Sequence, residues 1–371
     1  MLKKFTIVAI LMASATSFVT AQDSTKSEPL QISGSVDTYY KYDFSGYKPG
    51  NIGYQAENGY RGTSFATENN SLSLGMIDIA LKKTTGKTSF VGEVSFGPRG
   101  QSQSIPDGAV TPVLDGGGNT VAAGLSSFHI QNLYVNYAFS DKFTMTAGYM
   151  GTFIGYEVIS PVANFNYSTS YLFTNGPFQN AGIKGTYSFS PKASLMVGLF
   201  NDWNIYQDFN GVSDVGAQLF VSPVEGWNAY LNVLSGYPSG TIYDLTTSYQ
   251  ITDAFKVGLN AADFTKSNEN DGGYTGGALY LQNSFNANFG VGIRGEYFNS
   301  KNKVSGTTFS GVGPNESVVA VTLSGNLKAG GLTFIPEVRF DNGSANQFFK
   351  ENGLTQTKSA SQFSLAAVYA F

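Results

Sequence analysis

The 371-residue sequence contains no cysteine, which excludes disulfide scaffolds, thiolate metal sites and cysteine nucleophiles. Charged residues are also scarce, at 13% of the chain, about half the share that is usual in soluble domains. After residue 21 there is no stretch of roughly 18 apolar residues, so the sequence predicts no transmembrane helix. Acidic residues outnumber basic ones, 26 against 22, which gives no reason to expect a nucleic-acid partner.

The N-terminus has its features in the order that protein export requires. Two lysines precede the apolar run 5–12, and small residues up to Ala21 mark a cleavage site before Gln22. The apolar run is too short to span a bilayer. The sequence therefore predicts a cleaved signal peptide over 1–21, followed by a short periplasmic lead-in over 22–29.

Aromatic residues and glycine are abundant, with 29 Phe, 22 Tyr and 44 Gly, and this composition suits a membrane barrel with aromatic girdles. Period-two alternation is the stronger signal. The polar face of the first candidate strand carries Gln31, Ser33, Ser35, Asp37, Tyr39, Lys41 and Asp43. Similar two-faced segments recur to the end of the chain, and a shift of one residue would place each polar set in lipid.

The connections between these segments alternate in length. Short turns are predicted at 84–87, 140–142, 190–192, 223–226, 252–254, 284–287 and 328–331. Longer stretches are predicted at 45–70, 99–127, 151–180, 203–211, 236–240, 266–273, 300–315 and 342–357. Bacterial barrels combine short periplasmic turns with longer extracellular loops. We therefore expect an all-β fold, a single antiparallel transmembrane β-barrel of about 16 strands over 30–371.

The C-terminal segment alternates in twos back from Phe371 through Tyr369, Ala367 and Leu365. This pattern is typical of the terminal strand that bacterial barrels present to their assembly machinery. The sequence thus predicts export to the outer membrane of a Gram-negative bacterium, with lipid and the barrel assembly machinery as partners.

The middle of the chain, 128–190, resembles the OmpL-like β-barrel porin family of bacterial outer-membrane porins. The matching features are a strand–turn–strand hairpin followed by 152–157, 164–168, 170–173 and the pair Pro177-Phe178. The first candidate strand, 32–44, is also similar to that family. The resemblance implies a porin, but it does not identify a solute.

The segment 151–180 is long, aromatic and not alternating, and it contains Pro161 and Pro177. Apolar density of this kind in a loop indicates that the loop packs against a surface. We expect that surface to be the inner wall of the barrel, where the loop would narrow the pore; the alternative is an aromatic cap at the outer membrane interface. The constriction candidates in the loop are Tyr156, Glu157, Asn164, Asn166, Tyr167 and Tyr171.

Charged residues on the polar faces are the candidates for lining the pore. They are Asp37, Lys41, Asp78, Glu93, Lys184, Asp214, Asp244, Lys256, Arg294, Glu296, Glu337 and Arg339. Seven are acidic and five are basic, and because rings of charge set pore selectivity, the set predicts a mild cation preference. Alternatively, these charges stiffen the wall by pairing, Arg294 with Glu337 or Glu296 with Arg339.

Enzymatic barrels need a histidine base near a nucleophile or water. The single histidine, His129, begins a candidate strand in phase with Gln131 and Leu133, which predicts a place at the rim in contact with water or headgroups. The carboxylates of Asp202 and Asp208 could mimic a hydrolytic or weak calcium site, but loop acids are usually solvated. We therefore expect no enzyme, no cofactor and no metal.

Two functions of different class fit the sequence. The first is a porin, a water-filled channel for passive diffusion of ions and small hydrophilic solutes, because a barrel of about 16 strands is wide enough for an aqueous lumen. The second is a receptor or anchor barrel whose lumen is blocked by 99–127 and 151–180. A homotrimer is an open question, since no segment identifies a trimer face.

Overall fold

The structure is a computed structural model that describes residues 27–45, 64–66, 68–99, 113–114, 120–121, 128–301, 309–351 and 355–371. The expected signal peptide and most of the lead-in lie outside these residues and remain predictions. Within the described ranges, no helix is long and apolar enough to cross a membrane.

Sixteen antiparallel strands close into one barrel, each paired with its neighbours in the chain and the last with the first. They are β1 Gln31–Asp43, β2 Ser71–Thr85, β3 Thr88–Phe96, β4 Phe128–Ala138, β5 Phe143–Gly151, β6 Gln179–Ser190, β7 Ala193–Phe200, β8 Asp214–Val221, β9 Trp227–Gly236, β10 Gly240–Gln250, β11 Phe255–Thr265, β12 Gly273–Asn286, β13 Phe289–Ser300, β14 Ser317–Ala329, β15 Leu332–Gly343 and β16 Ser359–Ala370. The predicted fold class is confirmed.

Short and long connections alternate around the barrel as the sequence predicts. The short turns share the end where β1 begins and β16 ends, and the longer connections share the other end. The connections hold an α-helix, α1, at Tyr171–Asn175 and two 3₁₀ turns, Pro161–Ala163 and Glu269–Asp271. Two short hairpins also lie there: Val113–Leu114 with Thr120–Val121, and Phe348–Phe349 with Gln356–Thr357. Which end faces the periplasm remains a prediction.

The seam between β1 and β16 brings the C-terminal residue against the first strand. The Phe371 N–H donates to Gly34 O (3.0 Å), and the Gly34 N–H donates to Phe371 O (3.1 Å). The Tyr369 ring faces outward beside the Phe371 ring, with 6.4 Å between centroids. The alternation expected of a terminal strand is therefore present, and the reading of Phe371 and Tyr369 as an assembly signal remains a prediction.

Along the strands, apolar side chains cover the outer face and polar ones face inward. On β2, Leu72 is 81% exposed and Leu74 is 68% exposed, whereas Asp78 is buried on the inner face. A bulge on β2 sets this phase, because Gly75 and Met76 together oppose Asp37 of β1. Glycine is required at 75, since the Asp37 carboxylate lies where a Cβ would stand.

The predicted phase of His129 with Leu133 is wrong, because a bulge changes the phase of β4. Glu93 pairs with Asn132 but Val94 pairs with Ile130, so that Gln131 is the extra residue. His129 and Gln131 therefore face inward and are buried, while residues after the bulge alternate in the opposite phase. His129 is the second residue of β4, near the long-connection end as predicted, but at 2% exposure it faces inward and has little contact with water or headgroups.

Candidate functional site: the loop inside the barrel

The connection from β5 to β6, residues 152–178, enters the barrel and reaches its far walls. The Tyr167 hydroxyl donates to Asp37 Oδ2 on β1 (2.6 Å), and the Gly155 N–H donates to Asp244 Oδ1 on β10 (3.0 Å). Tyr167 and Tyr171 are each only 1% exposed. The structure thus places this segment, called here the inner loop, inside the lumen and not at the outer rim.

Local hydrogen bonds give the inner loop a fixed shape. The Asn164 amide donates to Val158 O (2.6 Å) and accepts from Val158 N (3.1 Å), which closes the turn that contains Pro161. Helix α1 begins after Ser170, whose side chain accepts from Phe173 N (3.1 Å) as an N-cap. The loop is therefore an ordered element and can present its backbone groups to the wall at defined positions.

Carboxylates of the wall hold backbone N–H groups of the inner loop. Glu337 of β15 accepts from Tyr167 N (2.9 Å) and Ser168 N (3.1 Å), and Glu296 of β13 accepts from Tyr171 N (2.8 Å). Hydrogen bonds to a charged acceptor in a buried setting are about twice as strong as neutral ones. These acids therefore act as anchors for the loop, in addition to carrying charge.

Two fully buried arginines complete the anchoring. Arg294 donates to Glu296 Oε1 (2.7 Å), to Glu157 Oε1 of the loop (2.6 Å) and to Ser168 O (2.6 Å). Its single positive charge is paired with two carboxylates, as burial requires. Its partners differ from the expected pairing with Glu337, because both carboxylate oxygens of Glu337 bind the loop backbone.

Arg339 of β15 has a comparable set of partners. It pairs with Asp341 (3.0 Å) on its own strand and more distantly with Glu296 (3.7 Å), so the second predicted pairing is present. Its guanidinium donates to Thr169 O (2.7 Å) and lies 5.1 Å from the centroid of the Tyr171 ring. Asp341 was not among the predicted residues, although it continues the inward phase of Glu337 and Arg339.

A third arginine, Arg99, joins the loop to β1. Its Nε lies 3.5 Å from Asp37 Oδ2, and its guanidinium lies over the Tyr167 ring at 4.6 Å and the Phe65 ring at 5.1 Å. Burial raises the pKa of Tyr167 well above its ordinary value, so the hydroxyl stays protonated and donates to Asp37. Sequence reasoning missed Arg99, because it lies in an irregular segment without alternation.

Aromatic side chains of the inner loop pack over glycines of the wall. A Cβ at Gly292 would lie 2.5 Å from the Phe165 ring, and a Cβ at Gly258 would collide with the Tyr156 hydroxyl. Tyr156 also stacks on Tyr280 of β12, with ring centroids 4.4 Å apart. The wall therefore has recesses that fit the loop in shape, as well as acids that bind it.

Asp78 and Glu93 form a separate acidic group on β2 and β3. The Ser35 hydroxyl donates to Asp78 Oδ1, and the Asn132 amide donates to Glu93 Oε2 (2.6 Å). Both carboxyl groups are buried on the inner face and are hydrogen-bonded to neutral groups. Their charge is therefore not offset by a hydrogen-bonded cation in the part of the chain that is described.

The other predicted pore-lining residues lie apart from the anchors. Lys41 donates to Ala66 O (2.7 Å), and Asp214 is buried at the start of β8, where it accepts from Ser213 Oγ (3.3 Å). Lys184 on β6 and Lys256 on β11 are half-buried, and no ion pair is found for either among the described residues.

Of the loop candidates, Asn166 donates to Ser324 Oγ (2.7 Å) on β14. Asp202 and Asp208 lie in the β7–β8 connection, where the Asp202 N–H donates to Asp208 Oδ2 (2.8 Å) and Asn210 Nδ2 donates to Asp202 Oδ2 (3.1 Å). Asp202 Oδ1 also accepts from Ser239 Oγ of the β9–β10 connection (3.1 Å). In the described ranges no group of three or more His, Asp or Glu is arranged to hold a metal ion.

A closed 16-stranded barrel with an apolar outside, a polar and charged inner belt and a long loop folded into the lumen defines the class of outer-membrane porins. The chain belongs to the family described as "Putative beta-barrel porin-2, OmpL-like", which matches residues 29–371. The protein is therefore a bacterial outer-membrane protein of this family, and the resemblance found in the sequence is confirmed.

Solved structures of similar fold come from several bacteria. The outer membrane channel DcaP of Acinetobacter baumannii is 11% identical, with a TM-score of 0.59 over 93% of this chain and 97% of its own. An anion-selective porin from Comamonas acidovorans is 10% identical, with a TM-score of 0.57 over 93% and 100% of the two chains. OmpT of Vibrio cholerae, without its loop L8, is 12% identical, with a TM-score of 0.53 over 94% and 100%. No curated protein sequence matches the chain.

Proposed function

We propose that the protein is a diffusion porin, a water-filled channel for ions and small hydrophilic solutes that the inner loop narrows. The observation that carries this proposal is the inner loop, which is held within a 16-stranded barrel by wall charges. A barrel of this size has room for an aqueous passage besides one loop. Membership of a porin family supports the same function.

The passage follows the part of the wall that the anchors leave free. The anchors lie on β10, β13, β15 and β1, at Asp244, Glu296, Glu337 and Asp37. The inner faces of β4 to β6, toward the short-turn end of the barrel, present half-buried polar side chains, including Lys184. We place the passage beside these strands and the adjoining β2 and β3, and we propose Lys184 and the Asp78–Glu93 group as its selectivity residues.

With the passage placed here, the ion preference does not follow from a count of all inward charges. Glu296, Glu337, Arg294 and Arg339 are occupied by each other and by the inner loop, so they contribute little to the field in the passage. The predicted mild cation preference therefore depends on the acidic group of β2 and β3, and Lys184 opposes it.

The proposed function involves no reaction on the solute, and the protein is not assigned an enzymatic role. Its family and its structural neighbours are porins and channels. A homotrimer is proposed as its assembly, since one structure of the neighbour OmpT of Vibrio cholerae is a trimer form. Lipid and the barrel assembly machinery remain its proposed partners during membrane insertion.

A blocked barrel that acts as a receptor or anchor is the second candidate. The observation that favours it is the apolar inner wall near the long connections, where Phe153 and Leu172 of the inner loop pack with Phe200, Leu234 and Phe298. Dense apolar packing excludes water from that part of the lumen.

Single-channel recording of the purified, refolded protein in a planar bilayer decides between the two candidates. Stable openings on the nanosiemens scale in molar salt are expected of the porin. A folded barrel, verified by its resistance to unfolding in detergent, that shows no openings at any voltage would instead indicate the blocked receptor or anchor.

A further inference from the structure

A cavity lies beneath the inner loop toward the short-turn end of the barrel. It is bounded by loop residues 161–166, by Tyr156 and by the inner faces of β11 to β16. This cavity is called here the vestibule. The charged side chains that line it are Glu157, Lys256 and Lys328.

The single carboxylate that lines the vestibule is engaged within the protein. Glu157 pairs with Arg294 (2.6 Å) through Oε1 and accepts from Ser170 N (2.7 Å) through Oε2. Neither of its oxygens is therefore free to bind a solute, and the other two charged side chains of the vestibule, Lys256 and Lys328, are cationic.

Of the two lysines that line the vestibule, Lys256 is the better placed to bind an anion. Its cross-strand neighbours are Gln250 on β10 and Gln282 on β12, so neither adjacent strand supplies a carboxylate at this level. Among the described residues no ion pair or hydrogen bond of its ammonium is found, and the side chain is half-buried. A half-buried ammonium without a partner is a site for an anionic ligand.

The side chains around Lys256 add a hydrogen-bonding group and a flat contact surface. The Gln282 side chain lines the same cavity, as does the Tyr156 ring. The next inward position on β11 is Gly258, over which the Tyr156 hydroxyl packs. A ligand at Lys256 would therefore contact the edge of the inner loop.

We propose that Lys256 and Gln282 form a subsite for the oxyanion group, carboxylate or phosphate, of a small hydrophilic solute that enters the vestibule. The ammonium supplies the counter-charge, the amide donates a hydrogen bond, and Tyr156 contacts the remainder of the solute. This subsite rests on the proposed porin function, because a solute held in the vestibule occupies the short-turn end of the lumen, which leads to the narrow part of the passage beside β4 to β6.

The test is current block of the full-length protein in a planar bilayer by inorganic phosphate, at low ionic strength so that screening is weak. In the wild type, phosphate is expected to reduce the current in a saturable manner. Lys256→Gln should raise the half-blocking concentration by about tenfold, the effect of losing one charge-assisted hydrogen bond. Lys256→Arg, which keeps the charge, should restore the block.

Lys192→Gln is the matched control, because it removes the same charge from an exposed turn at the same end of the barrel. It should leave the block unchanged. A parallel series with acetate separates a carboxylate ligand from a phosphate ligand, and block by either one through Lys256 supports the proposal. Open channels without block, or with equal block in wild type and Lys256→Gln, would overturn it.

Equilibrium dialysis of labelled phosphate against the detergent-solubilised protein separates the subsite from the porin function. Binding that Lys256→Gln abolishes, in a barrel that conducts no current, would retain the subsite and reject the porin. A conducting barrel that binds no phosphate in dialysis and shows no block would retain the porin and reject the subsite.

Discussion

Glu337→Gln provides the sharpest test of the anchoring described here. The carboxylate accepts from Tyr167 N and Ser324 Oγ through Oε2, and from Ser168 N through Oε1. Glutamine has nearly the same shape but only one acceptor oxygen. Whichever way the amide turns, its NH₂ group faces at least one donor that the glutamate satisfied.

The expected cost follows from this geometry. The variant loses at least one hydrogen bond to a charged acceptor and leaves a buried N–H without a partner, which together amount to about 2–4 kcal/mol. The equilibrium constant for docking of the loop at Tyr167 and Ser168 therefore falls by a factor of about 30 to about 800.

Hydrogen–deuterium exchange of the detergent-solubilised protein measures this change directly, because an amide exchanges when its local structure opens. Peptides that contain Tyr167 and Ser168 should exchange faster in Glu337→Gln by the factor above. Glu225→Gln, the same change at an exposed short turn, should leave exchange of these peptides unaltered. Unchanged exchange in Glu337→Gln would refute the anchoring role of this carboxylate.

Three further predictions follow from the same structure. Gly292→Ala forces the Phe165 ring to move, at a cost of about 1–3 kcal/mol, and should lower the unfolding temperature in detergent. The control is Gly295→Ala on the same strand, where a Cβ meets nothing within 4 Å and the effect should be negligible. Equal shifts of the unfolding temperature in the two variants would contradict the packing of Phe165 over Gly292. Proteases added to intact cells should not cut within 156–175, and ready cleavage there would contradict the inward fold. Lys184→Gln should shift the reversal potential under a salt gradient toward greater cation preference; an unchanged potential would place the passage elsewhere.

The barrel itself could be predicted from the sequence because lipid imposes a simple rule on every strand. Side chains that face lipid must be apolar, so alternation marks the strands, and connection lengths mark the two ends. Asp244 and Glu337, for example, follow directly from the phase of their strands and do face inward. The aromatic content of 151–180 likewise indicated a loop that packs against the wall.

What could not be predicted depends on contacts between distant segments. The bulge at Gln131 leaves no mark in the local alternation, so the sequence puts His129 in phase with Leu133 although the two residues face opposite sides of the wall. The partner of Arg294 depends on where Glu157 arrives, which is 137 positions away in the chain. Counting lumenal charges could not reveal that six of them hold the inner loop: Asp37, Asp244, Arg294, Glu296, Glu337 and Arg339.

The apolar inner wall near the long connections is a second feature that alternation conceals. Leu234 and Ile242 occupy inward positions where an aqueous channel would favour polar groups, and each is at most 1% exposed. They pack against the inner loop and its neighbours, so their apolar character serves loop packing. Only the folded position of 152–178 explains this choice of residues.

Comparing the conductance of the wild type with that of a loop-shortened variant tests whether the inner loop narrows an aqueous pore. Thr152 N donates to Phe178 O (3.0 Å), so β5 and β6 remain paired where a short Gly-Ser turn would replace 154–176. We expect stable openings in the wild type and a larger single-channel conductance in the shortened protein. Equal conductance in the two folded proteins, or a wild type that never opens, would contradict it.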